Sequence, residues 1–356
     1  MSTSKITHLI MLAQSLEQPR IVKRIIEQSS EYQQVDVIGF RRQIHTVKNY
    51  DVLKNYKNIT LKTIGSIPDG KYLRRIFAYL KLVFFLYGKY GIKPKKFYVF
   101  GMDLRIISAL TLNKKIDYEI SDILWLYKKP PLRNILMIID RNLAQTSNTI
   151  VFTSKGFYLK YYNKYVSKEK TVIKENRFKT YGKVKPIPRV KNDRIRIAYI
   201  GAFRYGDIIN SLLITVSKRD DIDLNFYGDG NGAVVVKMKK YADEYSNITY
   251  NGPFKNPDDL EEIYAENNLN FVVYNNTLDN ERVAMPNKYY ESGYFNVPIV
   301  CASGTYVGER VLRNGMGWVS DIGTNDISDF LNSITVEDLT IYHESIKKLD
   351  KAEFSC

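Results

Sequence analysis

Met-Pro-Asn-Lys-Tyr-Tyr-Glu-Ser-Gly-Tyr-Phe-Asn-Val-Pro, residues 285–298, is the stretch on which the interpretation of the whole chain depends. It predicts a helix from Asn287 to Tyr294 that ends near Asn296, and the apolar residues after Pro298 predict a strand. Pro286 suits a helix start because its backbone angle is fixed and its missing N–H group is not needed there. The N–H groups that stay free at such a tip attract anions.

Two charged side chains share one face of this predicted helix. Lys288 lies in its first turn, and Glu291 follows three residues later, which places the two side chains side by side. An ordinary surface helix capped by proline would show such a pair too. The pattern also suits a nucleoside diphosphate, with its phosphates at the helix tip and Lys288, and its ribose hydroxyls at Glu291.

The longer pattern, Pro-Asn-Lys-x-x-Glu followed by Gly and then Val-Pro-Ile-Val, resembles the donor-binding signature of family 4-type glycosyltransferases of the GT-B fold. The resemblance implies that Lys288 contacts the donor phosphates and Glu291 the ribose, with Pro286 and Asn287 beside them. Many members carry a further Glu eight positions before the ribose Glu, where this chain has Val283. Glu281 is nearby but out of register, so no role is transferred to it.

Length and composition predict two domains with substantial cores. The chain has 356 residues, of which 44% are hydrophobic. Cys301 and Cys356 are far apart and in no ligand pattern, so we expect a reducing compartment, no structural metal and no bound cofactor. Apolar runs stay well below the roughly 20 residues of a membrane span. We therefore expect a cytoplasmic protein.

The net charge of +15 is unevenly distributed. Residues 1–190 contain 36 Lys and Arg against 13 Asp and Glu, whereas residues 191–356 contain 17 against 25. A basic first half and a mildly acidic second half imply different partners. For the basic half, the candidates are a membrane surface, a phosphorylated acceptor or nucleic acid.

Strand and helix patterns alternate along the chain, which predicts an α/β fold with two doubly wound, Rossmann-like parallel sheets. The resemblance implies that the two domains face each other across a cleft. The first strand-to-helix turn contains no Gly-x-Gly-x-x-Gly, so a nicotinamide-type fingerprint is absent. We predict a first, acceptor domain at 1–182, a linker at 183–193, a second, nucleotide-sugar domain at 194–336, and a final helix at 337–356 that packs back toward the first domain.

Residues 71–96 are the most distinctive segment of the basic half. Apolar residues recur in it with a period of 3.6, and Lys and Arg fill much of the remainder; the apolar positions are Leu73, Ile76, Phe77, Leu80, Val83, Phe84 and Tyr87. One interpretation is a core helix with a solvated basic edge. The other is an interfacial helix on anionic lipid, which would make the protein peripheral on the inner face of the plasma membrane. Both interpretations hold together if the helix packs on one side and touches lipid with its edge.

Polar residues at the ends of predicted strands supply the remaining site candidates of the first domain. In open α/β sheets the carboxyl ends of strands border the ligand crevice, so Glu119 and Asp122 are candidates for acceptor binding. Their polarity also fits an ordinary strand end and loop. Ser121-Asp122 loosely resembles an acidic element found at this point in the family.

In the second domain, strand ends near the predicted helix complete the donor site. Gly201 ends one strand and would let the backbone approach a ligand; the resemblance assigns phosphate binding to the nearby Arg204, which could clamp phosphates with two hydrogen bonds. Three further donor-binding candidates are Tyr227, Gly228 and Asn251.

The predicted chemistry is transfer of a sugar from a nucleoside-diphosphate donor, UDP- or GDP-linked, to a hydroxyl. Negative charge develops on the leaving diphosphate, and Arg204, Lys288 and helix N–H groups would stabilise it without a metal. The resemblance implies retention of configuration, with Asp122 orienting the acceptor; in an inverting enzyme Asp122 is the leading base. His8 is a weaker base candidate and fits a core histidine better.

The basic half favours an acceptor glycan carried on a lipid diphosphate, as in the assembly of capsule or other surface polysaccharides. Two other classes of protein stay open. A GT-B nucleotide-sugar epimerase would need an acid and a base flanking the sugar. A basic nucleic-acid-binding protein fits the charge, but no nucleic-acid-binding motif is present, so no nucleic-acid partner is expected.

Overall fold

A computed structural model describes residues 8–16, 18–41, 49–67, 72–91, 95–111, 115–180, 184–186, 194–230 and 232–356. The chain divides into two compact units, Met1–Glu175 and Asn176–Cys356. Most of the predicted linker, apart from residues 184–186, lies outside the described residues, and so do residues 71 and 92–94 of the basic segment. No helix in the described part of the chain is long and apolar enough to cross a membrane.

The first unit is built on a parallel sheet of seven strands in the order β3-β2-β1-β4-β5-β6-β7. Its elements are β1 His8–Ala13, α1 Pro19–Ser29, β2 Gln34–Arg41, β3 Ile59–Ser66, α2 Tyr72–Tyr90, β4 Lys96–Phe100, α3 Met102–Leu110, β5 Lys115–Ile120, α4 Leu132–Gln145, β6 Thr149–Phe152, α5 Lys155–Phe157 and β7 Thr171–Ile173. The central strands are apolar runs because both faces of a parallel sheet are covered.

The second unit has a parallel sheet of six strands in the order β10-β9-β8-β11-β12-β13. Its elements are β8 Ile195–Phe203, α6 Gly206–Val216, β9 Ile222–Gly230, α7 Gly232–Glu244, β10 Ile248–Gly252, α8 Leu260–Glu266, β11 Leu269–Val272, α9 Asn287–Phe295, β12 Ile299–Ala302, α10 Tyr306–Arg313, β13 Gly317–Ser320, α11 Thr324–Ser333 and α12 Val336–Lys347. The strands are added on one side of β8 up to β10 and then on its other side from β11 onward, which is the strand order of a Rossmann-like sheet.

The two faces of the second sheet bury different helices. Along β8, Ile197 and Tyr199 point into a core shared with α6 and α11, whereas Ala198 and Ile200 point into a core shared with α8 and α9. This alternation follows from the two-residue period of a strand. Helix α12 buries Leu339 and Ile346 in the second unit; that it also reaches the first unit stays a prediction.

In its described residues, helix α2 packs against its unit through one side only. Its buried contacts come from Leu82 and Leu86, whereas four residues of the periodic apolar stripe are exposed: Ile76, Phe77, Leu80 and Phe84. The helix is apolar on two sides, so periodicity identified a helix but could not tell which side faces the sheet.

Candidate functional site

Helix α9 forms where the sequence predicts it. Pro286 caps it in an extended conformation, with φ −73° and ψ 147°, and the helix begins at Asn287. It ends at Asn296, which adopts the left-handed conformation with φ 60°, one that asparagine tolerates better than most residues. The tip of α9 therefore presents free backbone N–H groups beside Lys288.

Lys288 and Glu291 form a buried ion pair. Lys288 Nζ lies 2.6 Å from Glu291 Oε2, and the two residues are only 8% and 2% exposed. The Tyr264 hydroxyl donates to the same carboxylate oxygen at 2.9 Å, and Asn270 Nδ2 donates to the Tyr264 oxygen at 3.2 Å. The carboxylate thus fixes the position of the lysine, which has three N–H groups and retains donors for a ligand.

The carboxyl end of β8 comes close to this helix tip. Gly201 has φ +123°, in the region that favours glycine, and a Cβ atom placed there would lie 3.9 Å from Lys288 Cε. After β8 the chain turns at Arg204, whose side chain is exposed. This brings Gly201, Arg204 and Lys288 to the carboxyl edge of the second sheet, where doubly wound folds bind ligands.

These residues line a cavity of about 260 Å³ within the second unit. Its wall is formed by Tyr199, Ile200, Gly201, Ala202, Arg204, Tyr205, Phe271, Val272, Tyr274, Glu281, Asn287 and Lys288. Two cations, one carboxylate and several phenol groups share a small volume. Such a wall suits a ligand with an anionic part and several hydroxyl groups.

Three tyrosines give this cavity an aromatic and hydrogen-bonding side. Tyr205 and Tyr274 lie with their ring centroids 5.5 Å apart. Burial raises the pKa of Tyr199, Tyr205 and Tyr274 above the ordinary tyrosine value, so their hydroxyls stay protonated at neutral pH and can donate. The Tyr199 hydroxyl is buried without a hydrogen-bond partner among the described residues. A buried hydroxyl of this kind on a cavity wall indicates a polar ligand.

Several residues predicted to bind the donor lie outside the cavity wall. Glu291 lies behind Lys288 and reaches the cavity only through it. Tyr227 packs in the core, and its hydroxyl donates to Glu266 at 3.2 Å. Gly228 is required by strand packing, since a Cβ there would lie 1.9 Å from the Gly201 carbonyl oxygen. Neither Pro286 nor Asn251 lines the cavity.

Sequence reasoning missed part of the cavity wall. Glu281 was set aside because it is out of register with the family pattern, yet the loop between β11 and α9 places it in the wall. Tyr199, Tyr205 and Tyr274 were not singled out either. Their position at the carboxyl ends of β8 and β11 was the available signal.

A second cavity, of about 130 Å³, lies at the carboxyl edge of the first sheet. Residues that follow β1, β4 and β5 meet there, among them Gln14, Gly101, Ser121 and Asp122. The structure thus places Asp122, but not Glu119, in a position to contact a ligand of the first unit.

Glu119 is an internal structural residue, which corrects its prediction as an acceptor-binding residue. It is 0% exposed, and its Oε2 accepts from Arg24 Nε at 2.8 Å and from the Tyr98 hydroxyl. Contact with an acceptor would leave the buried Arg24 charge without this partner, at a cost of several kcal/mol. His8 is also misplaced for catalysis, because it opens β1 at the opposite end of the sheet, 3.3 Å from Asp36 Oδ2.

Within the described ranges, no three His, Cys, Asp or Glu side chains converge on a point where a metal could bind. Among the described residues that line the second-unit cavity, Glu281 is the only carboxylate; the other polar side chains are cationic, phenolic or, at Asn287, an amide.

No protein-family model and no curated protein sequence matches this chain. Solved structures do match. Sucrose-phosphate synthase from Thermosynechococcus elongatus is 12% identical with a TM-score of 0.70, covering 98% of this chain and 95% of that one. HepE from Anabaena, in complex with UDP and glucose, is 11% identical with a TM-score of 0.70, covering 98% and 96%.

A protein from Listeria monocytogenes described as a UDP-N-acetylglucosamine 2-epimerase is 9% identical, with a TM-score of 0.61 and coverage of 98% and 92%. At such identities the matches establish the fold. Together with the two parallel-sheet units, these end-to-end matches show that the chain has the GT-B fold.

Proposed function

We propose that this protein is a glycosyltransferase that uses a nucleoside-diphosphate sugar as donor. The observation that carries the proposal is the cavity at the carboxyl edge of the second sheet, where Lys288, Arg204 and the tip of α9 meet. Anions bind at helix tips, and a guanidinium and an ammonium together suit a diphosphate. The similar structure of HepE, which is in complex with UDP and glucose, supports this class of ligand.

In the proposed reaction the bond between the anomeric carbon and the diphosphate oxygen breaks, and the acceptor hydroxyl forms the new glycosidic bond. Charge grows on the leaving diphosphate, where Arg204, Lys288 and the α9 N–H groups stabilise it. These groups can serve in place of a metal. We further propose retention of configuration, with the leaving phosphate taking the acceptor proton.

The buried pair explains how Lys288 can act at the donor. Because Glu291 and Tyr264 hold the lysine in place, the ammonium needs no reorganisation when the donor binds. Glu281 faces the same cavity and is positioned to accept hydrogen bonds from sugar or ribose hydroxyls. In the proposed complex, Glu291 reaches the ribose only if the ion pair rearranges.

We assign the acceptor to the first unit. Asp122 lies in the cavity at the carboxyl edge of its sheet, where it would orient the acceptor hydroxyl. The basic character of residues 1–190 favours an acceptor with a diphosphate group, as on lipid-linked glycans of surface polysaccharides. This proposal places the enzyme on the cytoplasmic face of a membrane.

The epimerase alternative is less well supported. An epimerase needs an acid and a base on opposite faces of the sugar, whereas Glu281 is the only carboxylate among the described residues that line the donor cavity. Transfer needs no such pair on the donor side.

A binding panel tests the proposal. UDP- and GDP-sugars are titrated by calorimetry and by thermal shift, and we expect one of them to bind and raise the Tm. Arg204→Ala should weaken the binding of that donor by about tenfold or more. It should not lower the Tm of the free protein, because the Arg204 side chain is exposed. Arg313→Ala, an exposed arginine on α10, is the matched control. Failure of every donor to bind, or equal loss in both variants, would contradict the proposal.

A further inference from the structure

Helix α2 exposes a large apolar side. Phe77 and Phe84 are 72% and 75% exposed, and Ile76 and Leu80 lie beside them at 53% and 48%. These positions recur one turn apart, so they form a single stripe along the helix. The same helix is fixed to its unit through Leu82 and Leu86. The exposed stripe is therefore additional to what folding of this unit requires.

Helix α4 repeats the pattern. Leu132, Ile135, Ile138 and Ile139 follow helical spacing and are all more than a third exposed, while the opposite side of α4 buries Asp140 and Ala144. Two separate helices of one unit thus direct apolar stripes into solvent. Single exposed apolar residues are common, but large contiguous patches mark interaction surfaces.

Helix α3 connects these two stripes. It packs against both α2 and α4, and the Tyr87 hydroxyl at the end of α2 donates to the Leu110 carbonyl oxygen at the end of α3. Its own exposed apolar residues are Ile106 and Leu110. The exposed apolar side chains of α2, α3 and α4 therefore form one surface, which we call the three-helix face: Ile76, Phe77, Leu80, Phe84, Ile106, Leu110, Leu132, Ile135, Ile138 and Ile139.

The charges of these three helices are mainly positive. Helices α2, α3 and α4 contain seven Lys and Arg and two acidic residues, Asp103 and Asp140. Asp103 is half-buried. Asp140 is 2% exposed and is bound by the Tyr118 hydroxyl at 2.7 Å and Trp125 Nε1 at 3.0 Å, so it presents no negative charge to the surface. Of these cations, Lys81 on α2 is exposed, and Lys129, just before α4, is a further exposed cation.

We propose that the three-helix face rests on an anionic membrane surface, with its apolar side chains at the boundary between headgroups and acyl chains. An apolar stripe flanked by cations is the composition of helices that lie in the plane of an interface. The cations gain about 1 kcal/mol each near anionic headgroups. The exposed apolar residues of three adjacent helices give a larger contact than residues 71–96 alone.

Charge also argues against a second copy of this chain as the occupant. A two-fold symmetric contact would place the same cations opposite each other, and the face has no exposed carboxylate on α2 or α4 to offset them. An anionic surface removes this repulsion.

Vesicle sedimentation tests the proposal with the full chain. The anionic vesicles contain phosphatidylcholine with about 30% phosphatidylglycerol. We expect the protein to bind them at least roughly tenfold more tightly than vesicles of phosphatidylcholine alone, and we expect this binding to weaken as the salt concentration rises. Phe77→Ser combined with Phe84→Ser should reduce binding roughly tenfold or more, because both rings are largely exposed. Ile341→Ser, at an exposed apolar residue of α12, is the matched control.

Donor affinity keeps this inference separate from the proposed function. The Phe77 and Phe84 double variant should bind nucleotide sugars as the unaltered protein does, and Arg204→Ala should bind vesicles normally. Equal binding to both vesicle types, or equal loss in the Ile341 control, would overturn the proposal. So would a concentration-dependent dimer, by size-exclusion chromatography, that the double variant abolishes.

Discussion

Tyr199 belongs both to the core of the second unit and to the wall of the candidate donor cavity. Its ring packs in the core of the second unit with Phe226 and Phe271, so the residue contributes apolar contact. Its hydroxyl is buried at the cavity wall without a partner among the described residues. A buried polar group without a hydrogen bond costs about 1–3 kcal/mol, and a ligand that accepts this hydrogen bond recovers that energy.

Tyr199→Phe should therefore have opposite effects on stability and binding. We expect the free protein to be unchanged or more stable by about 1 kcal/mol, while the affinity for the donor falls by about tenfold. Thermal unfolding and calorimetric titration measure the two effects. Tyr118→Phe is the control, because that hydroxyl already donates to Asp140 at 2.7 Å and its loss should destabilise. A less stable Tyr199→Phe protein with normal donor affinity would show that the hydroxyl has another partner.

Asp36 predicts a pH dependence of stability in the first unit. Burial alone would raise the pKa of Asp36, but hydrogen bonds from Tyr90 at 2.5 Å and Lys89 at 2.9 Å outweigh it and hold the pKa at about 2. Because the folded pKa lies below the unfolded value of about 3.9, the stabilisation is complete above that value and is lost as pH falls toward 2. It amounts to at most about 2.6 kcal/mol.

Asp36→Asn tests this linkage. The variant should be less stable than the unaltered protein at pH 7, and the difference should shrink as the pH falls from about 4 to 2. Urea unfolding at several pH values measures it. A difference that stays constant over this range would mean that Asp36 is not held ionised by its neighbours.

At the scale of single residues, the sequence predicted both cations of the cavity wall but neither its carboxylate nor its tyrosines. Lys288, Asn287, Arg204 and Gly201 were all named, because charge and a strand-end glycine leave local signals. Glu281 was missed because its position depends on the path of a loop, which spacing does not determine.

At the scale of elements, α9 and its ion pair determine the geometry of the site. Removal of Lys288 would leave the Glu291 carboxylate buried, with the Tyr264 hydroxyl as its remaining side-chain donor among the described residues. A buried charge that loses its partner costs about 3–5 kcal/mol. The same change also removes a cation from the cavity wall.

We predict that Lys288→Met lowers stability by about 3 kcal/mol and abolishes measurable donor binding. Adding Glu291→Gln should restore at least half of the lost stability, because it removes the isolated charge, while donor binding stays absent. Chemical denaturation and calorimetry of the four proteins of this double-mutant cycle measure both effects. Additive stability losses would contradict a direct coupling between the two residues.

Helix α2 shows the limit of prediction for whole elements. Its existence followed from a period of 3.6, but its orientation did not, because apolar residues lie on two sides. Leu82 and Leu86 face the sheet, and the more obvious stripe faces solvent. A helix that is apolar on two sides carries no signal in its sequence that separates the core side from the interface side.

At the scale of the molecule, alternating strand and helix patterns were sufficient to predict two parallel sheets, because a parallel pair requires a crossover connection. The division between units was less predictable. The first unit ends at Glu175, before the Gly- and Pro-rich segment, and the second unit begins at Asn176. Phe178 forms a bridge with Ser355, a pairing of distant residues that no local pattern reveals.

Residues 351–356 connect this distant pairing to the candidate site. Lys351 Nζ donates to the Gly293 carbonyl oxygen at 2.9 Å and to Asn296 Oδ1 at 2.6 Å, at the end of α9. Phe354 is fully buried, and a Cβ on Gly293 would lie 2.1 Å from its ring. The segment therefore holds α9 at the end opposite the tip that we propose binds the donor.

Deletion of residues 351–356 should lower the stability of the second unit by about 4 kcal/mol, roughly 10 °C in Tm, and weaken donor binding at the far end of α9. Gly293→Ala should act in the same direction, because the added methyl group displaces the Phe354 ring. Cys356→Ser, at an exposed residue, is the control and should change neither property. Calorimetric unfolding and donor titration measure both effects, and normal donor affinity in the destabilised variants would mean that the tip of α9 is positioned independently of this segment.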